Sequence, residues 1–191
     1  MSPDSDRARE IEIVRFMCNH LVVLSAQYRE MVNGQPQGPT LYTFLSGFIL
    51  EFGQGWWFTT AGHILDDEHE LGDSIRTNRI RASNWALVDF LGSSPVVCEP
   101  MPYHFDVDRV LYFQLREGAL DFALHPLSIL SQPSLKANRI VPISRENWTG
   151  TDQMEFEGYA MLGVPRPPMG SREIIPTLVS VRRLTDIPGG L

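Results

Sequence analysis

The sequence has little of what marks several common classes of protein. Only two cysteines occur in 191 residues, Cys18 and Cys98, and their separation fits no metal-binding or redox motif. A disulfide between them and two buried free thiols are both compatible with this pattern, and a reducing compartment favours the thiols. The apolar stretch at residues 21–24 is four residues long, whereas a bilayer-spanning helix needs about 18–20. No membrane partner is therefore expected.

Basic residues are also scarce. Lys and Arg total 16 against 23 Asp and Glu, which gives a formal net charge of −7. Nucleic-acid binding needs clustered cations that displace counterions, and those of this chain are scattered, so no nucleic-acid partner is expected. Residues 1–10 are polar and charged and lack the apolar core of a secretory signal peptide. The sequence predicts a cytoplasmic protein with a polar N-terminal tail over residues 1–17.

Short strands dominate the pattern of the remaining chain. Hydrophobic residues make up 43% and charged residues 20%, which is enough for a buried core. Sustained helical periodicity is rare, and runs rich in β-branched and aromatic residues alternate with Gly, Pro, Asn and Asp. Strands are predicted near residues 21–28, 42–52, 55–60, 75–80, 85–90, 107–115, 121–125, 139–143, 155–162 and 174–184. This spacing predicts an all-β barrel or sandwich. Residues 33–39 should form a turn-rich loop, residues 61–65 a single helical turn, and residues 127–138 a connection between two subdomains.

The most informative segment is a predicted hairpin that ends at His63. A strand through Gly47 and Phe48 is followed by a turn at residues 53–55, and the next strand runs into Thr60, Ala61, Gly62 and His63. A general base must sit on a rigid element with its ring projecting into a cleft, and the end of a strand provides this. The small residues before His63 let the chain turn sharply. A histidine that merely terminates a strand is the simpler alternative.

A second segment places an aspartate at the start of a buried strand. Asp121 is followed by Phe122, Ala123 and Leu124, so its carboxylate should lie where a partner is needed. An imidazole N–H is a suitable partner, since a carboxylate fixes its tautomer and stabilises the imidazolium formed in catalysis. An ordinary strand-initiating aspartate is the alternative.

Together these segments resemble the trypsin-like (chymotrypsin-fold) serine proteases. In that family a similar hairpin ends in Thr-Ala-Ala-His or Thr-Ala-Gly-His, and the aspartate begins a strand of the form Asp-(Ile, Val or Phe)-Ala-Leu. Ser46, where many members have glycine, is a departure. The resemblance implies that His63 is the catalytic base and Asp121 its orienting acid. It also implies two β-barrels, the first over residues 18–126 and a second, incomplete one over residues 139–191, joined by residues 127–138.

The family's nucleophilic serine is not recognisable. It lies in a Gly-x-Ser-Gly-Gly turn whose backbone N–H groups form the oxyanion hole. The serines after Asp121 are Ser128, Ser131, Ser134, Ser144, Ser171 and Ser180. Only Ser171 follows a glycine, and the Arg172-Glu173 that comes next cannot form a glycine-rich turn. We therefore expect a downstream segment or a second chain to complete the second barrel and supply the serine.

No cofactor or metal is expected. Gly53 and Gly55 begin like a dinucleotide fingerprint, but Phe58 occupies the position of the third glycine. The spacing of the acidic residues and histidine at residues 66–70 matches no zinc or calcium motif, and a solvated loop is expected there. The resemblance implies a serine endopeptidase domain that acts on protein or peptide substrates and is inactive as this chain alone. The alternative is an inactive protease-like binding or regulatory module.

Overall fold

The computed structural model describes most of the chain between residues 18 and 147, together with two strands further on. The described residues are Ile11 and residues 18–66, 71–89, 100–114, 121–147, 159–163 and 177–181. Among them, no helix is both long and apolar enough to cross a membrane.

Seven strands form one antiparallel sheet. They are β1 (Leu21–Val32), β2 (Gln35–Phe52), β3 (Gly55–Thr60), β4 (Ile80–Asp89), β5 (Met101–Pro102), β6 (Leu111–Gln114) and β7 (Asp121–Pro126). Their order across the sheet is β5-β4-β1-β2-β3-β7-β6. The part β4-β1-β2-β3 has the spatial order of a Greek key, in which the fourth strand returns beside the first. A separate antiparallel pair consists of β8 (Tyr159–Gly163) and β9 (Thr177–Val181).

Three short helices accompany the described strands. They are α1 (His63–Asp66), α2 (Leu71–Arg76) and α3 (Ser131–Ala137). Single 3₁₀ turns occur at Val107–Arg109 and Arg145–Asn147. Helix α3 lies inside the segment expected to connect two subdomains, and α1 matches the helical turn expected before residue 66.

The all-β class is confirmed, whereas the seven-stranded sheet stays open at β5 and β6 within the described residues. The double-barrel architecture therefore remains a prediction. Ile143 donates its N–H to Ile49 O (2.7 Å) and accepts from Glu51 N–H (2.9 Å). These bonds attach a residue that was expected in the second barrel to β2 of the large sheet.

Several predicted loops and strands have different bounds in the structure. The loop expected over residues 33–39 is a two-residue turn, because Asn33 and Gly34 both have positive φ (52° and 76°), as a tight hairpin turn requires. Strand β2 consequently begins at Gln35 rather than near residue 42. The prediction of a strand at residues 75–80 is wrong for residues 75–79. Ile75 and Arg76 belong to α2, and β4 starts at Ile80.

The core lies between β1, β2, β3 and the elements around residues 103–110. Phe58, Leu24 and Ile49 are completely buried in it. Gly47 makes this packing possible, because a Cβ there would lie 2.6 Å from a ring carbon of Phe58. The core therefore fixes β2 against β3, the strand that leads to His63.

Candidate active site

The end of β3 is held firmly before the chain turns toward His63. The buried side chain of Thr60 donates a hydrogen bond to Ser46 O on β2 (2.8 Å). Helix α1 begins three residues later at His63, and Leu65 N–H donates to Gly62 O (2.9 Å). Leu65, two residues after His63, is buried in the core and anchors the short helix there.

Asp121 reaches His63 because β7 is the neighbour of β3. The two strands are antiparallel, with Thr60 opposite Ala123. The end of β3 and the start of β7 therefore lie side by side, and Asp121 is the first residue of β7. The sheet brings together the two residues that the sequence singled out.

The Asp121 carboxylate holds His63 at two points. Oδ1 accepts a hydrogen bond from the His63 backbone N–H (2.9 Å), and Oδ2 bonds the ring nitrogen Nδ1. A carboxylate accepts but does not donate, so Nδ1 carries the proton and the neutral ring has its lone pair on Nε2. The His63 side chain is 52% exposed and that of Asp121 is 36% exposed. The imidazole is thus oriented by the protein while about half of it faces solvent.

Gly62 leaves the space in which the Asp121 carboxylate lies. A Cβ at Gly62 would lie 2.7 Å from Asp121 Oδ1 and 3.3 Å from the backbone of Phe122. From the sequence, the small residues Ala61 and Gly62 are predicted to let the chain turn sharply before His63. The structure shows that the space at Gly62 is needed for the carboxylate.

Tyr112 and Arg76 connect the segment that carries His63 to the strands that carry Asp121. Tyr112 lies on β6, opposite Ala123 of β7, and its Oη donates to Leu65 O (3.3 Å). Arg76 of α2 donates to the same Oη (2.5 Å) and lies over the Tyr112 ring at 5.3 Å. Sequence reasoning missed both residues. For Tyr112 the sequence signal was the alternation of side chains along β6, which places Tyr112 on the opposite face from its exposed neighbours Leu111 and Phe113.

A second histidine is buried beside β7 and has a different environment. His125 Nε2 accepts from Asp106 N–H (3.1 Å), and its Nδ1 bonds Tyr103 Oη. Tyr103 Oη is also within 3.4 Å of Pro126 O. Burial, reinforced by the positive charge of Arg109, lowers the pKa of His125 to about 4, although Asp106 opposes this shift. Burial raises the pKa of Tyr103. His125 is therefore a neutral structural residue.

The later serines do not identify a nucleophile among the described residues. Ser128 Oγ accepts from Leu130 N–H (3.2 Å), and Ser144 Oγ donates to Asn147 Oδ1 (3.0 Å). Both are local contacts of loops and turns. Ser131 and Ser134 belong to α3, Ser180 belongs to β9, and Ser171 lies outside the described residues.

No cluster of three or more His, Cys, Asp or Glu able to hold a metal ion occurs in the part of the chain that the structure describes. Cys18 is a buried free thiol whose pKa is raised by burial. The expectation of free thiols is confirmed for Cys18, and Cys98 lies outside the described residues.

Comparison with protein-family models, with curated proteins and with solved structures finds no match to this chain. The indications of function are the geometry of His63 and Asp121 and the residue patterns around them.

Proposed function

We propose that this chain carries the general base and the orienting acid of a trypsin-like serine endopeptidase. The observation that supports this most directly is the double contact of the Asp121 carboxylate with the backbone N–H and the Nδ1 of His63. An ordinary surface ion pair needs only the side chains. A contact that also fixes the histidine backbone holds the ring in one orientation and one tautomer, which general-base catalysis requires.

In the proposed reaction, His63 Nε2 removes the proton from a serine hydroxyl as the serine oxygen attacks the carbonyl carbon of a peptide bond. The imidazolium then gives this proton to the leaving amine, and an acyl-enzyme remains. Water hydrolyses the acyl-enzyme with the same histidine as base. Asp121 stays ionised throughout and stabilises the imidazolium.

The serine and the oxyanion-hole donors are proposed to come from outside the described residues. They would belong to a further part of the protein or to a second chain that packs beside His63. The substrate would be a protein or peptide that lies across the exposed side of the His63 ring.

A fluorophosphonate probe tests this proposal, because it labels serines that are activated by a neighbouring base. We expect the complete gene product to be labelled and to hydrolyse peptide substrates. His63→Ala and Asp121→Asn should each lower the rate by about 10³-fold or more. His104→Ala is the matched control, since His104 is exposed and lies on the segment before β6. This control should retain full labelling.

The second candidate is a protease-like binding module, favoured by one observation: no Gly-x-Ser-Gly-Gly pattern follows Asp121 in the sequence. If the complete gene product is not labelled while the His63–Asp121 contact persists in solution, the endopeptidase proposal is wrong and the binding module is preferred. The contact can be followed by the downfield proton resonance of His63 Nδ1–H, which Asp121→Asn should abolish.

A further inference from the structure

A groove on the large sheet lies far from His63. It forms where β2 and β4 flank β1, and its lining includes Gln27, Tyr28, Arg29, Thr40, Arg81 and Ser83; we call it the basic groove. The His63 end of the sheet is at Leu21, which pairs with Phe48 beside Thr59. Strands rise about 3.3 Å per residue, so the basic groove is about 25 Å from that end.

Two arginines face each other directly in this groove. Arg29 of β1 and Arg81 of β4 are register partners, so their side chains project from the same face of the sheet. Like charges directly opposite one another on neighbouring strands destabilise a sheet. Acidic residues outnumber basic ones in this chain, whose net charge is −7. A carboxylate opposite either arginine would remove the repulsion, but the register places Arg29 opposite Arg81.

The groove lining supplies hydrogen-bond donors and no carboxylate. Arg29 Nε donates to Thr40 Oγ1 (3.0 Å), a bond that does not use the terminal nitrogens of its guanidinium. Gln27 Oε1 accepts from Asn84 Nδ2 (2.9 Å), so the polar group that Gln27 retains for the groove is its donor NH₂. Within the described residues, arginine–carboxylate ion pairs join Arg76 to Asp108 and Arg79 to Asp73.

The geometry points to the basic groove as a binding site for an oxyanion, held between the guanidinium groups of Arg29 and Arg81. A carboxylate or a phosphate presents two oxygens that match the fork of an arginine, and either would cancel the repulsion between the two cations. The hydroxyls of Thr40 and Ser83 would donate to further oxygens. This site is independent of the reaction proposed at His63.

The test uses inorganic phosphate, sodium acetate and sodium chloride at equal ionic strength with the purified full chain. Phosphate or acetate should raise the melting temperature of the wild type above its value in chloride, and a calorimetric titration should give saturable binding. Arg29→Gln and Arg81→Gln should each weaken this binding at least tenfold. Arg145→Gln, which removes an exposed arginine in a distant 3₁₀ turn, should leave the binding unchanged.

The melting temperatures in chloride provide the decisive second measurement. If the arginines face each other to bind an anion, Arg81→Gln relieves a repulsion and should melt at the wild-type temperature or above it. A lower melting temperature in chloride would mean that Arg81 serves the fold, and an equal phosphate response of all variants would mean a general ionic effect; either result overturns the proposal. A response to phosphate alone assigns the groove to phosphate groups, whereas an equal response to acetate shows that it also accepts carboxylates.

Discussion

The backbone of Gly62 lies directly against the carboxylate of Asp121, and a methyl group added at Gly62 would come within 2.7 Å of Oδ1. The same oxygen accepts the hydrogen bond of the His63 N–H. The residue before the histidine and the residue that orients it therefore share one closely packed volume, which makes the contact sensitive to a single methyl group.

Gly62→Ala tests this packing. We expect the added methyl to push the carboxylate away from His63, to weaken both hydrogen bonds, and to destabilise the protein by about 1–3 kcal/mol, as overpacking usually does. The loss of the downfield His63 Nδ1–H resonance, with the rest of the spectrum unchanged, would report the displacement. If the resonance and the stability both match the wild type, the close packing of Gly62 against Asp121 is not present in solution.

Tyr112→Phe tests the connection between α1 and β6. The variant loses the donor to Leu65 O and the acceptor for Arg76, so we expect a stability loss of about 1 kcal/mol and faster hydrogen exchange in residues 63–66. Tyr28→Phe is the matched control, since Tyr28 lies on β1 in the basic groove, far from α1. An unchanged exchange rate in residues 63–66 would show that Tyr112 does not hold the His63 turn.

The stability of the fold should depend on pH through His125. Burial lowers its pKa from the ordinary value of 6.5 to about 4 in the folded protein. Between pH 6.5 and pH 4 the unfolded chain therefore binds the proton more readily than the folded chain does. Stability is thus lost as pH falls from about 7 toward 4, by about 2 kcal/mol between pH 7.5 and pH 5. Arg109, Asp106, His104 and Tyr103 are the neighbouring ionisable groups, and Arg109 adds to the shift while Asp106 opposes it.

Denaturant unfolding of the wild type and of His125→Gln at pH 7.5 and pH 5 measures this effect. Glutamine does not titrate, so the variant should show a smaller difference between the two pH values whatever its absolute stability. Equal differences for the two proteins would assign the pH dependence to other groups.

Phe58→Ala tests the packing of the hydrophobic core. Phe58 is completely buried and covers Gly47, so Phe58→Ala should cost about 3–5 kcal/mol of unfolding free energy. Phe52 ends the neighbouring strand and is 72% exposed; Phe52→Ala should change stability by less than about 0.5 kcal/mol. Equal losses for the two variants would contradict the placement of Phe58 at the centre of the core.

Local sequence alone determined the strand and the turn that carry His63. The observed bounds of β3, Gly55–Thr60, equal those predicted, and β7 begins at Asp121 as expected. These features follow from neighbouring residues, because glycine turns and runs of β-branched and aromatic side chains restrict the backbone directly. The helix α2 was missed because the i, i+4 spacing of Leu71 and Ile75, which both pack on the core, spans too few residues to stand out from a strand pattern.

Contacts between distant segments were decided only by the tertiary structure. Gly62 lies against Asp121, and the His63 N–H meets a carboxylate 58 residues away, because β7 lies beside β3 in the sheet. Arg29 faces Arg81 because the register of β1 and β4 places them opposite each other. Which strands become neighbours, and in what register, depends on the burial of whole faces of the sheet rather than on any local run of residues. The sequence was therefore sufficient to predict His63 and Asp121 as candidate site residues. Only the fold shows the two contacts that hold them together.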